Sequence, residues 1–185
     1  MAIPDPAVKF TVQDYSNTPE DKRCELLDGE LITATVPGEI HQSFSAQLGW
    51  RLVQFASENS LGRVYHAPFD VVLSDTDVVQ PDLLFVSNER SQIITPENIR
   101  GAPDLVVEIL SPSTATRDRT FKRTLYARHG VKEYWLVDTT EKDVTVLLLG
   151  DRGFEVVDVY GGSEAMTSPT LPGFRLTLDD MFLTV

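Results

Sequence analysis

Two short runs constrain this chain more than anything else in it: VVQPDLLFV (78–86) and LVVEIL (105–110) are apolar at almost every position, yet each holds a carboxylate, Asp82 or Glu108. Side chains alternate along a strand, so Leu105, Val107 and Ile109 share one face, while Glu108 lies on the other with Val106 and Leu110. Read as a strand, the first run puts Val79, Leu83 and Phe85 on one face and Asp82 on the other with Val78, Leu84 and Val86. Strands that are apolar on both faces belong inside a sheet covered on both sides. A carboxylate there is costly unless it is hydrogen-bonded, paired or bound to a metal ion. Pairing with a nearby arginine explains one such acid; two on neighbouring runs, followed by a basic helix, point to a site.

The rest of the chain sets the context. Its 185 residues, 42% hydrophobic and 24% charged, suit one soluble domain spanning 1–185, with a core over about 24–182 and a frayed lead-in at 1–10 behind Pro4 and Pro6. No apolar run approaches the length of a bilayer span, and MAIPDPAVKF has no signal-peptide core, so a cytoplasmic location without a membrane partner is expected. Cys24 has no second cysteine to pair with and reads as a small buried hydrophobe. Net charge is −12, with 28 acids against 16 bases, which disfavours nucleic acid unless the bases are gathered. Arg117, Arg119, Lys122, Arg123, Arg128 and Lys132 are such a gathering, equally well explained as a solvated helix face.

Thr11 and Asp14 have capping-box spacing for a short helix. CELLDGELIT reads as a hairpin about Asp28-Gly29, with Glu25 and Glu30 as exposed strand carboxylates. Phe44, Leu48, Leu52, Phe55 and Ala56 mark a helix over about 40–59, with His41 in its first turn. PFDVVLS and VVQPDLLFV form a second hairpin, and a polar connection leads to PDLVVEIL. Ser113 or Thr114 caps the next helix, which carries Asp118, Lys122 and Tyr126 on one face and ends at Gly130. EYWLVD is a core strand, and DVTVLLLG with FEVVDVYG is a terminal hairpin. The tail LPGFRLTLDDMF packs back on the body or against a second subunit.

Two carboxylates and a lysine are the parts of a metal-dependent phosphodiesterase. Mg2+ or Mn2+ held by Asp82 and Glu108, with the Ile109 carbonyl as a further oxygen, would acidify water and offset charge on the phosphate. Lys122 would orient or deprotonate the water, or stabilise the charge that develops.

QPDLLFV, GAPDLVVEILSPST, D-x-x-x-K-x-x-x-Y from Asp118 and GVKEYWLVD, preceded by ELLDGEL and His41, resemble the restriction-endonuclease-like family of unknown function within the PD-(D/E)XK nuclease superfamily. The likeness runs from about Cys24 to Phe182. It implies an α/β (α+β) fold, with a restriction-endonuclease-like core of mixed β-sheet flanked by helices and additional hairpins. It also implies a divalent metal and often a homodimer, while the substrate, DNA in the leading reading, does not follow from family membership. The superfamily lysine expected two residues after Glu108 is replaced by Leu110, and Lys122 is the lysine that matches in this family. The motif leaves Glu25 as an additional catalytic acid; His41, Arg119 and Arg123 are candidate substrate-binding residues. Three activities fit: a metal-dependent endonuclease, a binding or regulatory module that kept the fold, and a hydrolase of small phosphoesters or nucleotides. The endonuclease acting on DNA leads; the acidic charge and Leu110 motivate the second reading, and the acidic surface fits the third because a small substrate needs no extended basic track.

Overall fold

The computed structural model describes residues 9–19 and 23–182, so most of the expected lead-in lies outside the described residues. Residues 9 and 10 are not frayed: the Phe10 N–H donates to the Gly29 carbonyl at 2.9 Å, and Lys9 Nζ meets Asp28 Oδ1 at 2.8 Å.

In chain order the elements are α1 (Val12–Ser16), β1 (Cys24–Leu27), β2 (Glu30–Thr33), α2 (Glu39–Glu58), β3 (Gly62–His66), β4 (Val71–Ser74), β5 (Asp77–Val79) and β6 (Leu83–Ser87). A 3-10 turn (Asn88–Ile93) leads to β7 (Ile99–Arg100) and β8 (Leu105–Ile109). One continuous helical stretch follows, made of α3 (Ala115–Arg117), a π-helical turn (Asp118–Lys122) and α4 (Arg123–His129). The chain closes with β9 (Glu133–Asp138), β10 (Asp143–Gly150), β11 (Gly153–Gly161), β12 (Ala165–Thr167), β13 (Arg175–Thr177) and α5 (Asp179–Phe182).

A six-stranded mixed sheet, ordered β11-β10-β9-β8-β6-β3, is the middle layer; only β8 and β9 run parallel in it. Every residue of β8 is buried, as its apolar composition requires. On one face Leu105, Val107 and Ile109 pack with Leu83, Phe85 and Trp135 against Phe44, Leu48 and Leu52 of α2. The tail joins this face through Leu171, Phe174, Leu176, Leu178 and Met181, which decides between the two placements expected for it: it packs on its own body. On the other face Val106, Leu110, Leu84 and Val86 meet Tyr126 of α4 together with Val71 and Val79. The last two belong to a second, five-stranded sheet ordered β2-β1-β5-β4-β7.

VVQPDLLFV is therefore not one strand. β5 ends at Val79 in the five-stranded sheet and β6 begins at Leu83 in the six-stranded one, with Gln80, Pro81 and Asp82 crossing between them. Proline has no N–H for a ladder and cannot sit in a central strand, so the run breaks where Pro81 stands. The break also changes the faces: Val79 packs with Leu84 and Val86, not with Leu83 and Phe85. Asp82 thus occupies a strand entrance, beside the end of β8.

Sequence signals of local turns hold elsewhere. Asp28 (φ 50°) and Gly29 (φ 80°) make the tight turn of the first hairpin, and Gly130 (φ 86°) ends α4. Among the described residues, no helix is long and apolar enough to cross a membrane.

Gly62 opens β3 where it crosses β6, and a Cβ there would lie 2.2 Å from the Val86 carbonyl oxygen and 2.8 Å from Ser87 Cα. Backbone of a central strand cannot swing aside as a side chain would. Gly62→Ala should therefore destabilise the protein by about 1–3 kcal/mol, read as a lower urea midpoint; an unchanged midpoint would show that β3 and β6 separate freely.

Candidate active site

Glu25 on β1, Glu108 on β8 and Lys122 at the end of the π-helical turn come from three different layers and meet at one point. Lys122 Nζ lies 2.8 Å from Glu25 Oε1, 2.9 Å from Glu108 Oε1 and 3.8 Å from Asp118 Oδ1. The lysine is 4% exposed. Its three donors face carboxylates from both sheets and from its own helix. Glu108 Oε1 also accepts the Tyr126 hydroxyl at 2.6 Å, and Glu25 Oε1 accepts the Gln80 N–H at 2.9 Å.

Glu25 is not the exposed carboxylate expected from its place beside a hairpin turn. β1 lies inside the five-stranded sheet, between β2 and β5, and all four of its residues are buried; Glu30, on the edge strand β2, is exposed. Neighbouring strands, which local sequence does not name, make the difference.

Asp82 is fixed separately. Its Oδ2 accepts the Ile109 N–H at 2.7 Å and lies 3.2 Å from His41 Nε2, so the end of β8 and the first turn of α2 hold the carboxylate from two sides. Asp82, Glu108, Ile109, Glu25, His41 and Lys122 all line one cleft of about 290 Å³. Asp118, Arg117, Arg23 and Gln80 also belong to its polar wall, with hydroxyl side chains from Thr35 and from Ser111, Ser113 and Thr114.

Burial favours the neutral acid at Glu25, but Lys122, the Gln80 N–H and the charge of Arg117 outweigh it and hold the carboxyl below its ordinary range. At Glu108 the balance reverses. Burial raises its pKa well above that of an ordinary glutamate, Lys122 offsets only part, and the negative charges of Asp118, Asp82 and Glu25 push it further up. Asp118 is raised as well, chiefly by burial, and its buried Oδ1 has no hydrogen-bond partner. Burial pulls the Lys122 pKa down, yet the carboxylates of Glu108, Glu25 and Asp118 overcome this and raise it above the usual lysine value. Lys122 is an ammonium throughout the neutral range. His41 is likewise raised overall, because the hydrogen bond and charge of Asp82 exceed the effect of burial.

Two expected contacts are absent from the cleft. The Arg119 Nη2 lies 2.7 Å from Asp138 Oδ2, and the Arg123 Nη2 donates to the Phe154 carbonyl at 2.6 Å. Helical geometry separates them from the inward face of Asp118, Lys122 and Tyr126, so these two arginines tie the helix to neighbouring strands. The site also gathers residues to which the sequence assigned no role. Asp118 and Tyr126 carry the four-residue spacing of Lys122, a signal that was present; Arg117 is not separable from Arg119 by sequence alone, and Gln80 acts through its backbone.

Among the described residues, no three His, Cys, Asp or Glu side chains converge as a ready-made metal cage. The donor chemistry still fits a hard divalent ion, which prefers carboxylate and carbonyl oxygen and retains water as further ligands. Four carboxylates face this cleft against Lys122, Arg117 and Arg23. The acidic neighbours add to the rise that burial imposes on Glu108, a repulsion that a bound cation would relieve.

The Uma2 family model, described as "Putative restriction endonuclease", matches residues 12–179. A crystal structure of "a putative nuclease belonging to DUF820" from Anabaena variabilis ATCC 29413 superposes with a TM-score of 0.78. The two chains are 21% identical, and the match covers 94% of this chain and 98% of the other. This likeness shows a shared nuclease-like fold. No curated protein matches the sequence.

Lys122→Met would leave Glu25, Glu108 and Asp118 buried without their shared cation. Breaking such a cluster from one side should cost about 3–5 kcal/mol at pH 7, measured by urea unfolding. Carboxyls raised above their unfolded pKa penalise the folded state as pH rises through that window, so the loss should shrink as pH falls towards the ordinary glutamate range. A loss that stays constant with pH would show that the three acids do not depend on Lys122.

Proposed function

Because this chain belongs to the Uma2 family, whose description is that of a restriction endonuclease, we propose that it is a divalent-metal-dependent endonuclease that hydrolyses DNA phosphodiester bonds. The observation that carries the reading is the convergence of Asp82, Glu108 and Lys122 on one acid-lined cleft within a nuclease-like fold. On this reading Asp82 and Glu108 hold Mg2+ or Mn2+, with the Ile109 carbonyl as a further protein oxygen. When bound, such an ion makes water more acidic and offsets the charge that grows on the phosphoryl oxygens.

The chain's own groups divide the remaining work. The Ile109 N–H and His41 orient Asp82 through its Oδ2, while Tyr126 and Lys122 fix Glu108 through its Oε1. Tyr126 remains a phenol, since burial and Glu108 raise its pKa well above the ordinary tyrosine value, and so it acts only as a donor to Glu108. Lys122, held as an ammonium, serves as a donor that orients water or stabilises developing charge, rather than as a base. Glu25 touches the lysine and the Gln80 N–H, and acts through Lys122 as a positioning residue. The reading extends to a homodimer acting in the cytoplasm, the assembly and setting that the family resemblance and the absence of an apolar span suggest.

Supercoiled plasmid at low salt, where phosphate contacts are strongest, tests the reading. Nicking should require Mg2+ or Mn2+ and fall by at least ~100-fold in Asp82→Ala and in Lys122→Ala, a loss on the scale of a removed charge-stabilising group. Circular dichroism would confirm that each variant is folded. Nicking by Asp82→Ala at the wild-type rate would overturn the assignment, and turnover of nucleotides but not plasmid would replace DNA by a small phosphoester.

A further inference from the structure

We propose that Arg117 and Arg23 form a phosphate anchor in this cleft, binding the nucleic-acid phosphates that flank the reacting one; the proposal rests on the nuclease reading above. Neither residue belongs to the acid–lysine group just described.

Several of the other cations are already engaged. Lys9, Arg90, Arg119, Arg128 and Lys132 each sit in an ion pair with an aspartate, and Arg123 donates to a carbonyl. Lys122 is enclosed by carboxylates. Other cations, such as Arg63 and Arg152, also form no ion pair among the described residues, but they lie outside the cleft; of the three Lys and Arg side chains that line it, Arg23, Arg117 and Lys122, only the lysine forms ion pairs. The charge of Arg117 contributes to the lowered pKa of Glu25 and opposes part of the rise at Asp118. The Arg117 Nε is buried and has no hydrogen-bond partner. A buried N–H without an acceptor is unfavourable, so this Nε at the wall of the cleft calls for a ligand that accepts hydrogen bonds.

Chemistry selects that ligand. The guanidinium matches a phosphate with two parallel donors, and its charge never titrates away. An anionic substrate approaching several carboxylates also needs compensation that Lys122, already surrounded by acids, supplies only in part. Arg117 stands one residue before Asp118, at the inner wall, whereas Arg23 is exposed one residue before β1. An inner and an outer cation in one cleft suit successive phosphates of a single strand. They also provide recognition in a protein whose net charge of −12 repels DNA elsewhere.

The test is the salt dependence of binding, which counts phosphate contacts and which a purely structural arginine would not change. A fluorescein-labelled DNA duplex is titrated with the full chain by anisotropy, in EDTA and again in Ca2+, across a series of salt concentrations. Arg117→Gln and Arg23→Gln should each weaken binding by about tenfold at low salt and reduce the slope of log K against log salt by about one. Arg117→Lys should keep the slope and lose affinity, because charge remains but the paired donors do not. Arg152→Gln, at the exposed β10–β11 turn, should match the wild type. Unchanged slopes in both glutamine variants, or no binding of DNA by the folded wild type, would overturn the anchor even if plasmid is nicked. Reduced slopes without metal-dependent nicking would uphold the anchor and reject the nuclease reading instead.

Discussion

A single buried ammonium holds the site together. Lys122 is reached by Glu25 from the five-stranded sheet, by Glu108 from the six-stranded sheet and by Asp118 from the preceding helical turn. A charge taken out of water is tolerated only with close, well-oriented partners, and those partners are spread over three layers. The lysine's position therefore depends on correct packing of all three. Its own helix is docked by Tyr126, which adds the hydroxyl bond to Glu108 and an edge contact with Tyr134. Tertiary packing and site assembly are the same event.

Asp82 reaches the site by a different route. Pro81 ends pairing in one sheet before β6 begins in the next, and the crossing leaves an aspartate at the mouth of β6 with its carboxylate against the Ile109 N–H. An acid inside a continuous strand would have pointed into apolar neighbours. Placed at a strand entrance, Asp82 keeps access to the cleft while a backbone N–H and His41 orient it. The Gln80 N–H, on the other side of Pro81, fixes Glu25. One short crossing thus orients two of the cleft's acids.

Much of this was legible in the sequence because it depends on local chemistry. The Asp28-Gly29 turn, the capping box at Thr11, the Gly130 terminus and the alternation in LVVEIL each follow from a few adjacent residues. The grouping of Asp82, Glu108 and Lys122 on one cleft was legible as well, through two acids in apolar runs and a lysine on the next helix. Long-range partners decided the rest. Glu25 became buried because β5 covers β1, and nothing in CELLDGELIT specifies that neighbour. Arg119 and Arg123 left the cleft because Asp138 and the Phe154 carbonyl, 19 and 31 residues away, were there to receive them.

The position of the lysine has a consequence for how such a cleft is built. Position 110, where the superfamily pattern would put it, carries a leucine that packs among Tyr126, Leu125 and Val106. A lysine there would lie on the same strand as Glu108, two residues away, and would form its contact whether or not a helix had docked. Carried on the helix, Lys122 joins Glu108 only when the layer behind the sheet is in place. The apolar contacts of Leu110 and the polar contacts of Lys122 then support the same docking. Exchanging strand lysine for strand leucine therefore makes the ammonium a reporter of the helix position, so that the acids face their cation only in the completed fold.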